Sequence, residues 1–223
     1  WQEQLTKESS HLITGLAGSA KTLAMGTLLA KENKILVVTP NLYYGSKLID
    51  DLQHIIEEKY LHYFPVDEVA AVEMSFSSPE ALSDRINALN FLVNDEPGIL
   101  VTSLAGLRRY LPNPENWQKQ TLVFEKDGIL DLSTLAETLV LIGYQKEQMI
   151  GKPGEFSIRG SIVDIYPLTS EYPVRIDLFD DEIESLRLFD VETQRSIGEI
   201  DKILVTPAMD TPLTKEELIS GSE

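Results

Sequence analysis

Residues 173–190 read Pro-Val-Arg-Ile-Asp-Leu-Phe-Asp-Asp-Glu-Ile-Glu-Ser-Leu-Arg-Leu-Phe-Asp. Within this stretch, over residues 174–179, aliphatic side chains alternate with Arg175, Asp177 and Phe179. Such alternation is typical of a strand that packs one face on a core and turns the other to solvent. The stretch therefore predicts a strand, Val174–Phe179, with two charged side chains and an aromatic on its outer face.

The regions around this strand predict an α+β domain with antiparallel strands over residues 121–210. The acidic pair Asp180-Asp181 predicts a turn into a second strand, Glu184–Phe189, and Ser161–Tyr166 predicts another. Apolar residues at helical spacing predict a helix over Leu132–Ile142, ended by Gly143. Residues 211–223 form a polar, acidic tail that we expect to lead into a missing domain.

The first 120 residues have a different pattern, in which short apolar runs alternate with amphipathic helices. Continuous apolar strands joined by helices indicate a parallel sheet covered on both faces, so we predict an α/β domain over residues 1–120. The predicted strands are His11–Thr14, Lys34–Thr39 and Gly98–Thr102. The predicted helices start at Ser19, at a cap formed by Asn41, and at a cap formed by Ser78.

The composition excludes several classes of site. With 19 Lys and Arg against 36 Asp and Glu, the 223-residue chain has a net charge of −17, of which −12 falls in residues 121–223. We therefore expect little direct binding to nucleic acid or to anionic membranes. The chain has no cysteine, which excludes disulfides and thiolate ligands, and its three scattered histidines argue against a zinc site, so no metal is expected.

The first residues, Trp-Gln-Glu-Gln-Leu, lack the basic and apolar regions of a signal peptide, and no apolar run is long enough to cross a membrane, so we expect neither element in this stretch. It does not begin with Met, so we expect a fragment of a longer protein. An acidic chain without cysteine fits the bacterial cytoplasm.

A disabled phosphate loop is predicted at residues 15–22, Gly-Leu-Ala-Gly-Ser-Ala-Lys-Thr. After Gly15 and Gly18, Lys21 and Thr22 stand where a Walker A loop needs them, but Ala20 replaces the second glycine of that motif. A Cβ there crowds the backbone nest that holds the β-phosphate. No buried strand of this half ends in an acidic residue, so a Walker B site is missing as well. A solvated lysine in a plain turn and residual nucleotide binding both stay open.

Two long blocks carry a family resemblance. Residues 154–167, Gly-Glu-Phe-Ser-Ile-Arg-Gly-Ser-Ile-Val-Asp-Ile-Tyr-Pro, and residues 173–190 resemble the N-terminal UvrB-homology module of the bacterial transcription-repair coupling factor, Mfd. The corresponding blocks of UvrB read G-x-F-R-V-R-G-D-V-V-E-I-F-P and R-V-E-F-F-G-D-E-I-E. The likeness extends over essentially the whole chain, including residues 103–112, 193–196 and 206–208. The Walker A departure at Ala20, and too little chain between Tyr60 and Gly98 for the long hairpin of UvrB, favour the coupling factor.

The resemblance implies a non-catalytic adaptor that recruits the damage-recognition protein UvrA, with no catalytic residue and no cofactor of its own. It implies that the parent protein engages stalled RNA polymerase and double-stranded DNA through an ATP-driven translocase, with ATP and Mg in separate motor domains. It also implies that a C-terminal domain of the parent covers the UvrA-binding surface until polymerase is engaged.

The resemblance assigns the UvrA contact to Arg159, Arg175 and Phe179. Arginine and aromatic side chains are enriched at interface hot spots, which supports the assignment. The alternatives are that Arg175 pairs with Asp177 or a cross-strand acid, and that Phe179 belongs to the core; Phe156 is expected in the core beside the site.

Two other functions stay open. A UvrB-like nucleotide-binding helicase half would need a second motor domain, and Ala20 with the missing Walker B argues against it. A DNA-binding module is disfavoured by the net charge of −17.

Overall fold

A computed structural model describes residues 13–16, 18–30, 34–66 and 78–211, and the chain divides into two units, residues 1–109 and 110–223. The first unit contains a three-stranded parallel sheet of β1 (Lys34–Thr39), β2 (Leu61–Phe64) and β3 (Gly98–Ser103) in the order β1-β3-β2. The central strand β3 is buried at every position, as its continuous apolar sequence indicates. The predicted parallel sheet is confirmed.

Two helices of the first unit begin at the caps that the sequence predicts for them. Helix α1 spans Ser19–Leu29, α2 spans Leu42–Gln53, α3 spans Pro79–Val93, and the short α4 spans Leu104–Leu107. The Asn41 side chain accepts a hydrogen bond from the Tyr44 amide at 3.1 Å, and the Ser78 hydroxyl accepts one from the Ala81 amide at 3.2 Å. Both predicted N-caps are confirmed.

One predicted strand of the first unit is not seen. Ile13 and Thr14, its last two residues, are exposed and outside any strand, while His11 and Leu12 lie outside the described residues. Conversely β2, whose sequence Leu-His-Tyr-Phe has no continuous aliphatic run, was not predicted and forms by pairing with β3. The stabilisation from pairing with the buried strand β3 therefore decides the conformation of this segment, although its own sequence favours a strand only weakly.

The second unit is an α+β fold, as predicted. It contains helix α5 (Pro114–Gln120), helix α6 (Leu132–Leu141) and a two-stranded antiparallel sheet of β4 (Leu122–Glu125) and β11 (Lys202–Val205). A six-stranded sheet has the order β10-β9-β8-β7-β6-β5 and is antiparallel except between β5 and β6. Its strands are β5 (Gln145–Lys146), β6 (Glu155–Arg159), β7 (Ile162–Ile165), β8 (Val174–Phe179), β9 (Glu182–Phe189) and β10 (Ser196–Ile200).

One face of the six-stranded sheet packs with α6 in the core of the second unit. The core includes Leu135 and Leu139 of α6 together with Val174, Ile176 and Leu178, the even positions of β8. Phe156 is fully buried in the same core, as predicted. Because β8 alternates strictly, its odd positions lie on the other face of the sheet.

We predict that Ile176→Ala lowers the free energy of unfolding by about 2–5 kcal/mol, because it leaves a cavity at a position with 0% exposure. Urea denaturation followed by circular dichroism measures the loss. Ile197→Ala, at a half-exposed position of the edge strand β10, is the control and should cost less than about 1 kcal/mol. Equal losses of unfolding free energy in the two variants would show that Ile176 does not lie in the core of the second unit.

Candidate partner-binding site

The outer face of the six-stranded sheet is rich in paired charges. We call it the polar face and define it by eight side chains that β6 to β9 place on this side of the sheet, where the register also puts Ile162 and Glu182: Ser157, Arg159, Asp164, Arg175, Asp177, Phe179, Ser185 and Arg187. The register places Asp164 directly opposite Ser157 on β6 and Arg175 on β8. Strand β7 therefore supplies a carboxylate between two strands that each carry an arginine.

Asp164 binds both arginines that the sequence assigned to the site. Its Oδ1 accepts from Arg175 Nε at 2.7 Å, and its Oδ2 accepts from Arg175 Nη2 at 2.9 Å and from Arg159 Nη2 at 2.6 Å. The Asp164 side chain is only 1% exposed. A carboxylate so deeply buried requires charged and hydrogen-bonding partners, and the two guanidinium groups supply both. Asp164 thereby fixes the position of both arginines.

Arg175 is held by two further contacts. Its Nη2 also donates to Gln194 Oε1 at 2.9 Å, and its Cζ lies 4.3 Å from the ring centroid of the buried Phe189. The hydrogen bond to Asp164 raises the pKa of Arg175 above its ordinary value, although partial burial opposes the shift. The guanidinium is thus a fixed, permanently charged fork rather than a mobile surface group.

The loop after β9 presents Gln194. In this loop Asp190 Oδ1 accepts from both the amide and the hydroxyl of Thr193 at 2.7 Å, which lowers the pKa of Asp190. Gln194 adopts a left-handed backbone conformation, with φ of 61°, and its backbone N–H donates to the Asp190 carbonyl. The loop is therefore ordered by its own hydrogen bonds, and the glutamine reaches Arg175 without help from a partner.

Arg159 is the more accessible of the two arginines. Its side chain is 42% exposed, and besides Asp164 its Nη1 contacts the Gln148 carbonyl at 3.2 Å. The same carbonyl accepts from the Ser157 hydroxyl at 2.9 Å. Arg159 is thus oriented at two points while much of its guanidinium stays open to solvent.

Phe179 ends β8 on the polar face and is 71% exposed. It is four residues from Arg175, which along a strand corresponds to about 13 Å. The alternative that Phe179 belongs to the core does not hold. The structure therefore places all three predicted side chains on one face, with the arginines together and the phenylalanine at the strand end.

The other alternative, that Arg175 pairs with an acid on a neighbouring strand, agrees with the structure, and the acid is Asp164 on β7. Asp177 is engaged instead by Arg187 and by the Ser185 hydroxyl, which donates to Asp177 Oδ2 at 2.9 Å. The ion pairs themselves combine three arginines with two aspartates, a local excess of one positive charge in a half of the chain that totals −12. Such a patch suits an acidic or carbonyl-rich partner surface.

Sequence reasoning missed Asp164, Gln194 and Arg187. A signal for Asp164 was present, because an acid inside the apolar run Ile162-Val163-Asp164-Ile165 must be paired if that strand is buried. Gln194 lies in residues 193–196, which share the family resemblance, but the sequence assigned it no role, since its contact with Arg175 joins a loop to a strand 19 residues away.

The predicted phosphate loop has left-handed glycines at Gly15 (φ 83°) and Gly18 (φ 54°) before helix α1. Lys21 is exposed, whereas Thr22 is 3% exposed and donates its hydroxyl to the Ser19 carbonyl at 2.8 Å. Its disabled state, with Ala20 in the motif, stays a prediction. In the described ranges, acids and histidines nowhere gather as a metal site would require, and no helix could span a bilayer.

We predict that Asp164→Asn lowers the free energy of unfolding by about 3 kcal/mol, since it leaves two guanidinium groups without their buried counter-charge. Asp177→Asn is the matched control, because that carboxylate is partly exposed and its loss should cost about 1 kcal/mol or less. Denaturant titration of both variants gives the comparison. A cost for Asp164→Asn no larger than that of the control would show that Asp164 does not organise this face.

Comparisons with known proteins show which proteins the chain is similar to. Residues 122–210 match the UvrB interaction domain family. Over 214 residues the chain is 41% identical to the transcription-repair-coupling factor of Bacillus subtilis (strain 168), covering 96% of this chain and 18% of that protein. It is 38% identical over 218 residues to the transcription-repair-coupling factor of Staphylococcus aureus (strain USA300), covering 97% of this chain and 18% of that protein.

The chain thus spans less than a fifth of the length of these relatives. The matched residues 122–210 contain every side chain of the polar face. The second unit therefore contains the residues that match the UvrB interaction domain family, and the chain is similar over nearly its full length to one region of the transcription-repair coupling factors, as its two sequence blocks indicated.

Proposed function

We propose that this chain is a non-catalytic adaptor that binds UvrA through the polar face. The observation that supports this most is the pair Arg159 and Arg175, fixed on one buried carboxylate, with Phe179 exposed on the same face. Fixed arginines and an exposed aromatic bind with little loss of side-chain entropy, which is what an interface hot spot requires.

The setting of this adaptor follows from the relatives named as transcription-repair-coupling factors. We propose that the full-length protein is a cytoplasmic ATP-driven DNA translocase that displaces stalled RNA polymerase, and that this chain then recruits UvrA to the lesion for nucleotide-excision repair. ATP and Mg would act in motor domains outside these residues. The chain itself would need no cofactor.

A UvrB-like nucleotide-binding half is the second candidate. Gly15 and Gly18, both with positive φ, precede a helix as the glycines of a phosphate loop do. The Thr22 hydroxyl, however, donates to the Ser19 carbonyl of its own helix. Binding of Mg-ATP to the chain at micromolar concentration, measured by calorimetry, would favour this candidate. A titration heat no greater than the heat of diluting Mg-ATP into buffer would favour the adaptor.

We predict that Arg159→Ala or Arg175→Ala weakens binding to UvrA about 30-fold, equivalent to about 2 kcal/mol. Isothermal titration calorimetry with purified UvrA measures the dissociation constant. Lys119→Ala on α5 is the control, because it removes one exposed positive charge outside the matched residues 122–210.

The melting temperature of each variant separates lost contacts from lost folding. Arg175→Lys keeps the charge but not the bidentate fork, so it should bind nearly as weakly as Arg175→Ala. If both alanine variants melt and bind like the unmodified chain, the polar face is not the UvrA-binding surface.

A further inference from the structure

We infer that Ile129 is a fourth contact residue of the UvrA-binding surface and forms an apolar anchor with Phe179. The inference rests on the proposed function and extends it to a residue outside both sequence blocks that carry the resemblance. Ile129 is 70% exposed and Phe179 is 71% exposed, so together they offer an apolar pair to solvent rather than a single exposed side chain.

The strand register places these two side chains on the same face. Glu182 pairs with Phe179 on one side, as the first pair after the turn between β8 and β9. On its other side Glu182 forms an antiparallel bridge with Ile129. Paired residues of neighbouring strands share a face, so Ile129 and Phe179 flank Glu182 with their backbones about 10 Å apart.

The backbone around Ile129 is held rigidly. The Asp127 amide donates to the Ile183 carbonyl at 2.9 Å, and the Ile183 amide donates to the Gly128 carbonyl at 2.8 Å. The Leu130 amide donates to the Asp181 carbonyl at 2.7 Å, and Leu130 itself is buried in the core. These three bonds make Ile129 the outward residue of an added strand segment, so its exposure is built into the fold.

The charges near this anchor identify the kind of surface that fits it. Asp180, Asp181 and Glu182, all exposed, lie between and beside the two apolar side chains. Arg175 lies about 13 Å away along β8, and Arg159 lies on β6, two strands from β8, so the acidic and apolar end of the face is separate from the arginine pair. The matching region of UvrA would be an apolar pocket bordered by basic groups, with acidic or carbonyl groups opposite Arg159 and Arg175.

Calorimetric titration of UvrA with Ile129→Thr tests the inference, because threonine keeps the β-branched shape and removes the apolar end. We expect the dissociation constant to rise about 10-fold with the melting temperature unchanged. Val140→Thr is the matched control, since Val140 is 54% exposed on α6, which packs on the opposite face of the sheet, and its binding should be unchanged. Ile129→Val, which keeps an apolar side chain, should bind within about threefold of the unmodified chain.

The same titration series includes Arg175→Ala. Weakened binding by Arg175→Ala beside unchanged binding by Ile129→Thr would overturn the role of Ile129 and leave the proposed function standing. Unchanged binding by Arg175→Ala would instead overturn the proposed function. Sedimentation of the chain alone adds one outcome: a dimer that Ile129→Thr dissociates would assign the anchor to a second copy and also overturn the inference.

Discussion

The carboxylate of Asp164, 1% exposed at the centre of the polar face, is the constraint on which the candidate site depends. Its strand lies between the two strands that carry Arg159 and Arg175, so a single acid orients both guanidinium groups. A lone surface ion pair contributes little because water competes for both charges. Here burial removes that competition, and the cost of burying the charge is offset only while both arginines stay in place.

This arrangement explains how a strongly acidic protein can present a basic contact. Two arginines share one buried carboxylate, so this pair keeps an excess of one positive charge although the chain as a whole is acidic. Further along the same face the charge reverses at Asp180, Asp181 and Glu182, beside exposed Phe179 and Ile129. A surface with two chemically different ends can select both a partner and its orientation.

Much of the fold could be predicted because local patterns and tertiary packing agree. The alternation in β8 assigned its two faces correctly, and the caps at Asn41 and Ser78 located two helix starts. The resemblance supplied Arg159, Arg175 and Phe179. The apolar run around Asp164 indicates a paired acid, but only the register of three strands shows that both arginines are its partners. Ile129 was out of reach for the same reason: its face is set by a bridge to Glu182, 53 residues later in the chain, and not by its own neighbours.

The central claim is that Asp164 serves binding by positioning the arginines. A double-mutant cycle on UvrA affinity, with Asp164→Asn, Arg175→Ala and the combined variant, tests it most directly. If Asp164 acts through the arginines, the combined variant should bind clearly more tightly than the product of the two single losses predicts, because only the part of the Asp164 effect that acts through Arg159 remains once Arg175 is absent. Losses that multiply, so that the combined variant is weaker by the product of the two single effects, would show that the two residues act independently and would contradict the account.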